Sequence, residues 1–186
     1  MKRLLALLSV IVLLCACVSG DEYLNSLSFL RRWNTSDAVK DDKEKRLVED
    51  DIWVYRDGDY LKYSAWFNGE EQLLTLVCDP KSDFLLYCTI TGKAEDGKLS
   101  KGNEEEFYSI VRLMIYVMCG LDEGNCRELL ERGGFNAPQA AHYYEQDYFA
   151  HSMFTDELGV SYRIKNLRLL PKELPEWTLS TTAATP

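Results

Sequence analysis

An α+β fold, an antiparallel meander sheet with helices packed on one face and a C-terminal hairpin, is predicted from three observations. Asp57-Gly58 and Asn68-Gly69 are strong hairpin dipeptides set between alternating apolar runs. A capped apolar segment after residue 103 has helical spacing, and a second alternating region closes the chain.

The turns divide 52–91 into strands Ile52–Arg56, Asp59–Phe67, Gln72–Cys78 and Phe84–Thr91, the last two joined by Asp79-Pro80-Lys81-Ser82-Asp83. Pairing Arg56 with Asp59, and Phe67 with Glu70, sorts the alternation into faces. Ile52, Val54, Leu61, Tyr63, Ala65, Leu74, Leu76, Cys78, Phe84, Leu86, Cys88 and Ile90 form the expected core side. The opposite side carries Trp53, Tyr55, Tyr60, Lys62, Trp66 and Tyr87 with Leu73, Val77 and Leu85, too aromatic for an ordinary solvated face.

Before the sheet, Asp21–Trp33 reads as a helix with Leu24, Leu27, Leu30 and Trp33 on one stripe. The polar segment Asn34–Asp51 is expected to be an exposed connection with room for a helical turn. After the sheet, Asn103-Glu104-Glu105-Glu106 forms a capping box. Phe107, Ile110, Val111, Met114, Val117 and Met118 follow at i, i+3, i+4 spacing, which predicts a helix buried across the inner face. A second box, Asn125-Cys126-Arg127-Glu128, opens a short helix that Gly133-Gly134 ends. His142 to Phe154 alternates as one strand, a turn near Thr155–Gly159 follows, and Val160, Tyr162 and Ile164 return the chain toward Leu170.

The first residues have the pattern of an export signal. Met1-Lys2-Arg3 is a basic start and Leu4–Leu14 an apolar run too short to span a bilayer permanently. Leu14-Cys15-Ala16-Cys17 then resembles the lipobox of bacterial lipoproteins, a resemblance that makes residues 1–16 a signal peptide and Cys17 the lipidated residue. Cleavage after Gly20, giving a secreted protein, and modification of Cys15 are the alternatives. The expected organisation is an N-terminal anchor, helix and connection over 17–50, and an α+β body over 51–170 that forms one domain with the 21–33 helix. A flexible tail over 171–186 follows Pro171 and Pro175.

The element order also resembles a broad group of small bacterial lipoproteins of unknown function, whose last strand often opens as Gly159-Val160-Ser161-Tyr162 does here. That resemblance is architectural and implies no activity. Some proteins of this layout are similar to the β-lactamase-inhibitor fold, in which a concave sheet face grips a partner; that is analogy alone.

The formal charge is −9, or −11 without Lys2 and Arg3, so nucleic acid is not an expected partner. Four cysteines remain beyond the anchor. In the register above Cys78 and Cys88 would lie on the order of 13 Å apart, beyond the reach of a disulfide. Cys119 and Cys126 flank a six-residue loop and are the candidate pair. No cysteine spacing matches a zinc knuckle, and no motif calls for a metal or a cofactor. His142 and His151, the only histidines, would lie on opposite faces of a single strand. There is no nucleophile elbow, zinc-binding helix or phosphate loop. The expected function is therefore a membrane-tethered, non-catalytic binding or accessory protein. It would hold an envelope protein or a cell-wall glycan or peptide on Trp53, Tyr55, Tyr60, Lys62, Trp66 and Tyr87. A protein–protein inhibitor or assembly partner, and an unrecognised envelope hydrolase, are the alternatives.

Overall fold

The computed structural model describes residues 23–136 and 141–170. The expected signal peptide over 1–16, Cys17, Asp21-Glu22 and the expected tail from Pro171 lie outside the described residues. Within them, seven antiparallel strands form one sheet in the order β1-β2-β3-β4-β7-β6-β5. They are β1 (Trp53–Asp57), β2 (Tyr60–Phe67), β3 (Gln72–Cys78), β4 (Leu85–Gly92), β5 (His142–Gln146), β6 (Phe149–Asp156) and β7 (Gly159–Asn166). The helices are α1 (Ser26–Thr35), α2 (Asp37–Asp41), α3 (Lys101–Cys119) and α4 (Glu123–Arg132).

One apolar cluster runs from Leu24 to Ile164, and its members alternate along β2, β3 and β7, as Leu74, Leu76 and Cys78 and as Val160, Tyr162 and Ile164 do, with a break in β4 between Leu85 and Cys88. The helices therefore cover a single face of the sheet. Every member of the expected α3 stripe is buried, with Leu113 and Ile115 beside it.

The first two hairpins differ from the expected pairing by two residues. Asp57 pairs with Tyr60 and Phe67 with Gln72, because Gly58 rather than Asp57 takes the first loop position, and because the second loop runs through Asn68, Gly69 and Glu70, all at positive φ. A shift of two keeps every side chain on its face, so the sorting survives. It fails in β4, where a register shift at Val77/Cys78 puts Leu85 opposite Cys78. Leu85 is fully buried in the core, where Leu86 was expected. Cys88 stands opposite Leu76, two residues nearer Cys78 than the expected register allows.

Helix α1 begins at Ser26 rather than Asp21, because the Asn25 side chain accepts the Ser28 amide at 2.8 Å. Its inward residues are Ser26, Phe29 and Trp33, while Leu27, expected in the stripe, is 72 % exposed. The connection to β1 is structured, not simply exposed. Asn34 bonds both backbone groups of Leu47 (Nδ2 to O 2.7 Å, Oδ1 from N 2.9 Å), and Val39 and Leu47 are buried. Asn103 is not a cap, since α3 starts earlier, at Lys101; its side chain instead ties the helix to Glu71 (3.0 Å) and Asn68 (3.2 Å). In α4 the cap is Asp122, which accepts the Asn125 amide at 2.9 Å, and Gly133-Gly134 ends the helix as expected. The expected His142–Phe154 strand is broken by a turn at Asp147 and Tyr148, with Asp147 at φ 54°, into the hairpin β5–β6.

The bridge expected between Cys119 and Cys126 is not formed, and Cys78, Cys88, Cys119 and Cys126 are free thiols. The Cys126 thiol instead donates to the Leu121 carbonyl at 3.4 Å.

Candidate binding face

With helices on one side, the other side of the sheet is left without a covering layer among the described residues, and it holds all six aromatic and lysine positions read from the sequence. Trp53 lies opposite Ser64, diagonal to Trp66, and the two indoles stand 6.4 Å apart, tilted by 42°. Tyr55, Lys62, Val77 and Tyr87 form one continuous row across β1 to β4. Trp53, Tyr55, Tyr60 and Trp66 are 45, 44, 39 and 37 % exposed. Lys62 and Tyr87 are only part-exposed, so they floor the face rather than project from it. Lys62 is held by Asp57, whose hydrogen bond is the main cause of its raised pKa.

The platform between the rings is polar and already satisfied. Ser64 and Thr75 hydroxyls are 3.1 Å apart, and Thr91 and Ser161 hydroxyls 2.8 Å. The sequence reading missed the other end of this face. The Arg163 guanidinium lies between the rings of Tyr87 (5.2 Å) and Phe154 (4.9 Å), and its Nε donates to Thr89 Oγ1 at 3.1 Å. Alternation around Tyr162 is the one local signal for Arg163, since it places that residue on the outer face. What it could not supply was β7 pairing with β4, which brings Arg163 to Tyr87. Lys93 sits over the Trp66 ring at 5.7 Å. Flat rings edged by cations suit apolar side chains and sugar faces, which stack rather than react.

The reactive side chains lie elsewhere. Burial pushes the thiols of Cys78, Cys88 and Cys119 up, and that of Cys126 to about 11, so all four stay protonated and poorly nucleophilic near neutral pH. His142 and His151 share the helix-covered face instead of opposing each other, because the Asp147 turn puts them on paired strands. His142 packs edge-on against Phe135, and His151 meets the Tyr162 hydroxyl at 2.9 Å through Nδ1. No group of three metal-binding side chains occurs among the described residues.

Burial holds the His151 imidazole down to about 4, below its ordinary 6.5. Between those values the unfolded chain binds a proton that the folded chain does not. The contribution of His151 to stability is thus complete above pH 6.5 and is lost as pH falls toward 4, by at most about 3 kcal/mol. An NMR titration should show that the His151 ring does not protonate above pH 5. A His151 ring that titrates near 6.5 would contradict the buried neutral imidazole.

Comparison with protein-family models, curated proteins and solved structures gives no match. No helix among the described residues is long and apolar enough to cross a membrane.

Proposed function

We propose that this chain is a lipid-anchored envelope protein, tethered through Cys17, that holds an envelope protein or a cell-wall glycan or peptide on its open sheet face without chemistry. The observation that carries the reading is the exposure of Trp53, Tyr55, Tyr60 and Trp66 on one uncovered surface. Large aromatic rings in water are a standing cost unless they serve contact, and aromatic anchors dominate the energy of many interfaces. The described chain begins at Tyr23, six residues after Cys17, so a tether there would keep the body close to the membrane.

Two measurements test it. Labelled palmitate should enter the full chain expressed in a bacterium and be lost in Cys17→Ser; label that survives the substitution would remove Cys17 as the anchor. Binding of solubilised wall fragments and of detergent-extracted envelope proteins should weaken about tenfold or more in Trp53→Ala/Trp66→Ala, since two anchor rings are lost. Stability in urea should change little, on the order of 1 kcal/mol, because both rings are at the surface. Unchanged binding would reject this face. Turnover of wall fragments that disappears on changing a carboxylate would instead favour the hydrolase.

A further inference from the structure

Strand β1 is an open edge of the sheet, with all five of its residues exposed and no pairing on its outer side among the described residues. It is short and ends in the charged pair Arg56-Asp57, but it has no proline, no lysine and no bulge, and residues 53–55 carry no charge. Asp57 and Tyr60 close a two-residue loop and so form a hydrogen-bonded pair. Alternation along the ladder then directs Tyr55 and Trp53 into β2 and turns the N–H and C=O of Val54 and Arg56 outward. Beside this edge, on the helix side, runs a groove of about 940 Å³ whose apolar lining includes Leu27, Leu30, Val48, Ile52 and Val54. Leu27, Val48 and Val54 are 72, 44 and 54 % exposed.

A bilayer would satisfy the groove but leave the backbone groups of Val54 and Arg56 unbonded in hydrocarbon. Another strand satisfies both. We infer that the β1 edge and its groove take a second copy of this chain, pairing β1 with β1 antiparallel about a two-fold axis through Tyr55. This inference does not rest on the lipid anchor or on the binding face.

The strand is self-complementary in that register. All five residues pair: Val54 with Arg56, Trp53 with Asp57, and Tyr55 with itself, so no two like charges stand opposite within the strand. Shifting by two residues to the symmetric pairing about Arg56 would set the two Arg56 cations against each other. In the Tyr55 register Val54 and Arg56 form the hydrogen-bonded pairs that their outward groups require. A two-fold axis normal to the sheet keeps both helical layers on one side, so Leu27 and Val48 of each copy face the seam and fill the groove. On the other side the two Trp53–Tyr55 clusters become continuous.

The test uses the full chain, with sedimentation mass corrected for bound detergent. The expected result is twice the chain mass at micromolar concentration. Tyr55→Cys puts two cysteines opposite each other in a non-hydrogen-bonded pair, with Cα atoms about 4.5 Å apart, within disulfide range. It should yield a covalent dimer on mild oxidation, whereas Tyr60→Cys, comparably exposed but on β2, should not. Val54→Pro removes only an outward N–H, which an edge strand tolerates, and should weaken association about tenfold or more with unchanged circular dichroism. A monomeric chain overturns the inference, as does equal cross-linking at positions 55 and 60. Protection of the β1 amides in a monomer also overturns it, because another segment or a bound peptide would then occupy the edge.

Discussion

Gly159→Ala should destabilise the protein by about 4 kcal/mol or more, enough to unfold a domain of ordinary stability. Gly159 sits at φ 140°, in backbone space that essentially only glycine enters. A Cβ there would lie 2.0 Å from the Gly92 carbonyl oxygen and 3.2 Å from the Ala94 amide nitrogen. Both obstacles are backbone, so no side chain can rotate away. They also lie at the end of the β4–β7 pairing, next to Gly92↔Val160, where the first four strands join the last three. Relieving the clash means parting that seam. Urea unfolding measures the loss. A change under 1 kcal/mol would show that the strands close differently at this point. Gly69→Ala is the control: its φ is also positive, at 60°, but nothing lies within 4 Å, so the cost is the conformational penalty alone, about 1 kcal/mol.

Trp33→Ala should cost about 3 to 5 kcal/mol, the range for emptying a large aromatic site. Trp33 has no exposed surface. It is stacked between Phe29 at 5.6 Å and Phe67 at 5.8 Å, and its indole nitrogen donates to the Lys45 carbonyl at 2.7 Å. One side chain thus fastens α1 to the sheet and to the connection before β1. Trp33→Phe keeps the stack but orphans the carbonyl, and should cost less, about 1 to 3 kcal/mol. Equal losses in the two variants would mean that the hydrogen bond, not the packing, carries the energy. Loss of α1 docking should also take away one wall of the β1 groove, since Leu27 and Leu30 of this helix line it.

These two positions mark the border of what the residues disclose before folding is considered. The faces of the first four strands were legible because hairpin loops and strict alternation restrict register, and an error of two residues leaves a face unchanged. Leu85 was misplaced because a bulge adds a residue that alternation cannot register. α3 was legible from its stripe, while its start was not: Asn103-Glu104-Glu105-Glu106 has the spacing of a cap, yet Asn103 is drawn off to Glu71 and Asn68 in the turn between β2 and β3. Leu27 was assigned to the core by spacing alone, although the helix turns Phe29 and Trp33 inward and leaves it in solvent. Asp147 breaks a strand that alternation reads as continuous, because a positive φ at aspartate carries little local signal. For the binding face, the aromatic residues of β1, β2 and β4 were visible one strand at a time. Arg163 was not, since its place beside Tyr87 depends on the long-range pairing of β4 with β7.

Acrylamide quenching of a Trp177→Phe chain tests most directly whether the aromatic face is open to a partner. Three indoles then report: Trp33 has no exposed surface, and Trp53 and Trp66 are 45 and 37 % exposed. The expected result is two populations, an accessible one that Trp53→Phe/Trp66→Phe removes and a residual one that resists quenching. Emission that resists quenching throughout would mean that the face is covered, and the proposed binding role would fall with it.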